Sequence, residues 1–164
     1  MVVFDAGILI SLLTPRSTEQ LKKERLDFLV RSLRQARTKI LIPTPALAEL
    51  LVYAPDLADE FSRSAGFEVV PFDQRAAIEC SLSIRAALSS GNKKGKQKHA
   101  AWSKVKFDHQ IVAIARSRLA TCIYSDDKGL INFARSLGMT ATSADELPDD
   151  PDKAQGLLDL EHGS

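Results

Sequence analysis

Val2-Val3-Phe4-Asp5 and, far along the chain, Thr121-Cys122-Ile123-Tyr124-Ser125-Asp126-Asp127 decide the fold. Each is a short apolar run, rich in β-branched and aromatic side chains, that stops at an acid. Such runs read as buried strands. Between and after them the pattern changes period. Leu21, Leu26, Leu29, Val30 and Leu33 form a helical stripe with Lys and Arg between, which predicts an amphipathic helix ending near Ala36. Ser17 stands three residues before Gln20, the spacing of a capping box. Gly7 to Leu13 is apolar and short, enough for one or two helical turns.

The alternation continues. Lys39 to Ile42 reads as a second strand. Thr44-Pro45 reads as an N-cap followed by proline at the first helical position, opening a helix over Ala46 to Tyr53. A short helix from about Asp56 to Ala65 is closed by Gly66. Phe67 to Phe72 is a third strand, and Asp73 caps a helix from Gln74 to about Leu88. Ser89 to Gln97 is the evident loop. A helix with its core over Asp108 to Leu119 follows, then the strand before Ser125, a helix over Lys128 to Leu137 with Gly138 as its C-cap, and a short fifth strand over Met139 to Thr142. Strands alternating with helices predict an α/β fold with a mostly parallel sheet. Active groups in such sheets gather at the carboxyl ends of the strands.

The 164 residues fit one domain, large enough to need no disulfide or metal staple. At 45% hydrophobic and 26% charged, the composition excludes collagen, coiled coil and a disordered chain. No apolar run approaches the ~18 residues of a membrane span, and the start lacks the pattern of a signal peptide. A cytoplasmic protein with no membrane partner is expected. Cys80 and Cys122 are far apart and read as buried thiols in a reducing compartment. The net charge of +1 hides a cancellation. Residues 89–107 carry +6 and residues 145–164 carry −6, so near-neutrality does not exclude a nucleic-acid partner.

Several acids sit where an acid is locally awkward. Asp5, Asp126 and Asp127 follow apolar strands. Glu49 is the single charge in an apolar helix, and Asp108 opens another. If they converge, carboxylates about 5 Å apart repel by roughly 3 kcal/mol at an effective dielectric of 20. Such a cluster needs a cation or takes up protons. Oxygen-only ligands favour Mg²⁺ or Mn²⁺ over zinc, and such a metal suits phosphodiester hydrolysis. Each acid also has a plain structural reading. Asp127 and Asp108 can be helix N-caps, Asp5 can cap the segment after it, and a salt bridge to Arg or Lys can satisfy Glu49. Asp73, after the third strand, keeps a receiver-like reading open, whereas a phosphatase would want an acid where Gly7 stands.

With the four acidic positions in order, the sequence resembles the PIN-domain ribonucleases, and among them the VapC-type toxins of toxin–antitoxin pairs. The matching stretches are Val2-Val3-Phe4-Asp5-Ala6-Gly7-Ile8-Leu9-Ile10, Pro43-Thr44-Pro45-Ala46-Leu47-Ala48-Glu49-Leu50, Phe107-Asp108-His109-Gln110-Ile111-Val112-Ala113-Ile114-Ala115 and Tyr124-Ser125-Asp126-Asp127-Lys128-Gly129-Leu130. The resemblance implies a three-layer PIN-like α/β fold over residues 1–147, with a central mostly parallel sheet flanked by helices; the acidic composition of 148–164 reads as a tail beyond it. The resemblance also implies Mg²⁺- or Mn²⁺-dependent endonucleolytic cleavage of RNA, often by a homodimer, and a cognate antitoxin. Asp5, Glu49, Asp108 and Asp127 match the catalytic acids. Asp5, Asp108 and Asp127, with Asp126 as neighbour or substitute, match the metal-binding set, and Ser125 matches the hydroxyl that orients it. Ala6-Gly7 departs from the family, which commonly places a hydroxyl residue and then Asn or Ser there. That departure favours an alternative: a weakened PIN module that binds RNA or a protein partner without cutting.

Lys93, Lys94, Lys96, Lys98, Lys104 and Lys106 stand in a stretch without acids. The functional reading is an RNA-backbone contact beside the cleft, with Trp102 as a stacking platform. The structural reading is a solvated loop anchored by Trp102.

Overall fold

The strands are short, and the three in the middle of the sheet are buried along nearly their whole length. In the computed structural model, which describes residues 1–13, 19–57, 65–89 and 102–151, β1 (Val2–Phe4), β2 (Ile40–Pro43), β3 (Phe67–Val70), β4 (Cys122–Tyr124) and β5 (Ala141–Thr142) form one sheet. Its order is β3-β2-β1-β4-β5, and every pairing is parallel. Helices α1 (Ala6–Leu13), α2 (Gln20–Gln35), α3 (Thr44–Tyr53), α4 (Gln74–Ser89), α5 (Trp102–Ser117) and α6 (Lys128–Ser136) make the crossovers.

Alternate residues of each strand build two cores. Val3, Leu41 and Ile123 pack under α4, α5 and α6, where Ala76, Ile114 and Leu130 are fully buried. Val2, Phe4, Ile40, Ile42 and Cys122 pack under α1 and α2, with Ile8, Leu9, Leu26 and Val30. The result is the expected three-layer arrangement.

Several boundaries differ from the sequence reading, each for a local reason. Helix α5 begins at Trp102, so Asp108 lies in its second turn and is not an N-cap. The lysine-bearing stretch before it has no apolar periodicity to betray a helix. Helix α3 begins at Thr44, with Pro43 in the cap position and no side-chain cap. The Thr44 hydroxyl oxygen instead accepts from the Phe72 amide at 3.3 Å. Strand β3 ends at Val70, before Pro71 removes a ladder donor. The Ser17 cap and most of the helix expected over 56–65 lie outside the described residues; the described residues just before that gap form a 3-10 turn over Pro55–Leu57. Gly138, at φ 76°, follows α6 in the left-handed conformation that suits glycine.

Strand order reverses direction at β1 and β4. The chain steps outward from β1 to β2 and β3, then returns to the other side of β1 for β4 and β5. A crevice opens at such a switch point, outside the carboxyl ends of the strands. Asp5 leaves β1 there, and Ser125 to Asp127 leave β4. Beyond Leu147, which is buried in the α2-side core, the chain stays attached to α2. Arg25 pairs with Asp149 at 2.7 Å and Arg31 with Asp150 at 2.5 Å.

Candidate acidic cleft

A cavity of about 690 Å³ lies at this switch point. Its floor and walls carry Asp5, Glu49, Asp108, Asp126 and Asp127, with Gly7, Pro45, Ala48, Val52, Phe107, Ile111 and Leu130. The structure thus brings Asp5, Glu49, Asp108, Asp126 and Asp127 to one cleft.

Asp5 is buried, and its carboxylate is held from two sides. The Ile8 amide donates to Oδ1 at 3.0 Å, capping the start of α1. The Ser125 hydroxyl donates to Oδ2. Ser125 is wholly buried, and its Oγ also accepts from the Asp127 amide at 3.0 Å. One hydroxyl therefore ties the ends of β1 and β4 together and fixes the turn that presents Asp127. Burial pushes the Asp5 carboxyl up to about 6, against the lowering effect of its Ser125 and Ile8 hydrogen bonds; the negative charges of Asp126 and Glu49 raise it further.

Asp127 does two things. Its Oδ1 accepts from the Gly129 and Leu130 amides at 2.7 and 3.2 Å, so it is the N-cap of α6. It also lines the cleft. The same residue thus serves as a helix cap and as part of the cleft wall. Asp126 is turned toward protein partners: Lys22 sits 2.6 Å from Oδ2, and the Ala144 amide donates to Oδ1 at 2.9 Å.

Asp108 is 5% exposed on α5. Its neighbour His109 turns the other way and stacks on Phe133, with centroids 3.9 Å apart; burial lowers its pKa. Glu49 is exposed on the cleft side of α3. No Lys or Arg forms a salt bridge with it among the described residues. Asp73 lies outside the cleft. Its Oδ1 accepts from the Ala76 amide at 3.0 Å and its Oδ2 from Arg118 at 2.7 Å. Nothing in its surroundings supports the receiver-like reading.

Among the described residues, the polar side chains that line the cleft are all carboxylates, which is the ligand chemistry of Mg²⁺ and Mn²⁺. Among the described residues, no group of three or more Asp, Glu, His or Cys side chains closes around one point as a metal site would. Ion binding would require carboxylates to rotate inward. Gly7 leaves room beside them: a Cβ built there would meet Asp5 Oδ1 at 3.5 Å, an ordinary contact. The missing side chain at position 7 is therefore not a steric necessity.

No protein-family model matches the chain, and no curated protein matches it. Solved structures do. A chain in the crystal structure of VapBC2 from Rickettsia felis, bound to a DNA fragment from their promoter, matches at TM-score 0.57 and 13% identity. The match covers 87% of this chain and 98% of that one. A chain in the DNA-bound VapBC structure from Salmonella typhimurium matches at TM-score 0.55 and 18% identity, covering 87% and 97%. The fold is PIN-like.

The PIN-like frame also locates the lysines. Lys104 and Lys106 fall on α5, the helix that carries Asp108, and Lys106 is exposed. Lys93, Lys94, Lys96 and Lys98 lie outside the described residues, and Trp102 is the first residue of α5. The sequence reading missed the apolar part of the cleft. Phe107 is 51% exposed and Val52 78% exposed, yet in sequence both resemble core residues.

Proposed function

We propose that this chain is an endoribonuclease dependent on Mg²⁺ or Mn²⁺, and the toxin of a toxin–antitoxin pair. The observation that carries the reading is the Asp5–Ser125–Asp127 link at the switch point, in one cleft with Asp108 and Glu49. Asp5, Asp108 and Asp127 would hold the cation, with Asp126 within reach by rotation. A cation so bound would polarise a phosphate and lower the pKa of a water. The chain's own residues set the geometry. Ser125 orients the Asp5 carboxylate and the backbone before Asp127. Glu49, exposed and without a salt bridge among the described residues, is placed to take up or relay a proton.

The partner is a cognate antitoxin. The names of the structural neighbours, both of them VapBC bound to DNA, support a small DNA-binding protein in that role. The chain acts as a homodimer in the cytoplasm. No helix among the described residues is long and apolar enough to cross a membrane.

Purified protein incubated with mixed RNA should cut it in Mg²⁺ or Mn²⁺, lose activity in EDTA, and lose at least 100-fold in rate on Asp108→Asn. Cleavage that survives both EDTA and the substitution sinks the reading. A second reading, a PIN module that binds without cutting, is favoured by Ala6-Gly7 and by the Lys22 partner of Asp126. RNA binding with no cleavage in either metal would select it.

A further inference from the structure

We propose that Phe107 is the platform on which one base of the bound RNA stacks, beside the phosphate that the carboxylates engage. The inference rests on the nuclease reading and adds a recognition element to the same cleft.

From Ile111 to Ala115, helix α5 is buried, none of these residues more than 4% exposed. One turn earlier, Phe107 lines the cleft with half its surface in water. Among the described residues Phe107 belongs to neither core, and the apolar core on this helix begins at Ile111. Its sequence neighbour Asp108 is buried in the cleft wall. On the α3 wall, Val52 is 78% exposed and accompanies Ala48 and Pro45. The cleft therefore combines a carboxylate floor with an apolar, partly aromatic rim.

Carboxylates and a cation account for the handling of a phosphate, but they do not call for an apolar rim. A nucleotide carries both features, a charged diester and a flat base with an apolar face one sugar away. The rim is continuous with the floor within a single cavity, so one nucleotide can engage both at once. Base–aromatic stacking is tolerant of base identity, because every base has a π-face. A base paired within a duplex keeps its faces against its neighbours, so the nucleotide at Phe107 is unpaired.

The test uses the full-length Asp108→Asn protein as a non-cleaving background, with Mg²⁺ and a short unstructured RNA carrying 2-aminopurine. Binding should quench the probe. Adding Phe107→Ala should weaken affinity about five- to 150-fold, the range for one stacked base, and abolish the quench. Phe107→Tyr should restore both, while thermal melts of the three proteins stay close, as suits a half-exposed side chain. Unchanged affinity and quench on Phe107→Ala overturn the platform while leaving the nuclease reading intact. Equal loss in the Ala and Tyr variants also overturns it. If the background protein binds no RNA and the wild type cuts none, both readings fall together. A change confined to self-association assigns Phe107 to a protein interface and overturns the proposal.

Discussion

At the scale of single residues, the cleft is defined by what Asp5 costs. Its carboxyl is pushed up to about 6, above the ordinary value near 3.8, chiefly by burial. A folded-state pKa above the unfolded one means that the native state binds the extra proton. Stability from this group is therefore present below about pH 4 and is lost as pH rises through 6. The cost at pH 7 is on the order of 3 kcal/mol for a shift of this size. Asp5→Asn removes it, and an amide can still accept from the Ile8 amide and donate to Ser125. The variant should melt higher than wild type at pH 7 in EDTA, with the gap closing toward pH 4, while RNA cleavage disappears. Thermal melts across pH check this. A variant that melts lower at pH 7 means that the hydrogen bonds outweigh the buried charge.

At the scale of elements, residues 145–151 are tied to α2 by side chains that the sequence presents as part of an acidic tail. Arg31 reaches Asp150, which is 5% exposed, and Arg25 holds Asp149 and the Asp145 carbonyl. Removing a partner from a pair with one buried member is costly, though Arg31 is half in water, which reduces the effect. Arg31→Ala should destabilise by about 1–2 kcal/mol, read from the urea midpoint with an unchanged m-value. Lys39→Ala, which breaks an exposed pair with Glu68 at 2.8 Å, should cost under about 0.5 kcal/mol. Equal effects would mean that the Asp150 contact adds nothing. The same elements show what was legible in the sequence. The central strands β1, β2 and β4 were readable because apolar runs buried along nearly their whole length leave no charged residue inside them. Helix ends were readable where caps mark them, as at Asp73, Asp127 and Gly138. The start of α5 was not, because lysines at 104 and 106 interrupt any apolar stripe, and Asp108 was consequently read as an opening residue. The acids were legible because a charge at a strand end is locally unfavourable. The rim of Val52 and Phe107 was not, because an apolar residue facing a cleft has the same signature as one facing a core.

At the scale of the whole molecule, the charge is segregated: +6 over residues 89–107 and −6 over 145–164. An acidic cleft repels a polyanion, so an RNA substrate needs cationic surface nearby to offset that repulsion. Lys104 and Lys106 are on the helix that carries Asp108, which makes the preceding stretch the natural source. If those lysines contact phosphates, binding releases counterions, and affinity falls with salt in proportion to the contacts made. Replacing Lys93, Lys94, Lys96 and Lys98 together by Gln should weaken RNA binding by Asp108→Asn protein. It should also flatten the plot of log affinity against log salt by up to roughly 3, at about 0.7 per contact on a single strand. A melting temperature equal to the parent's separates lost contacts from a lost fold. Fluorescence anisotropy between 50 and 200 mM salt reads the slope directly. A slope equal to that of the parent would place the backbone contacts elsewhere and return the lysine stretch to the role of a solvated loop.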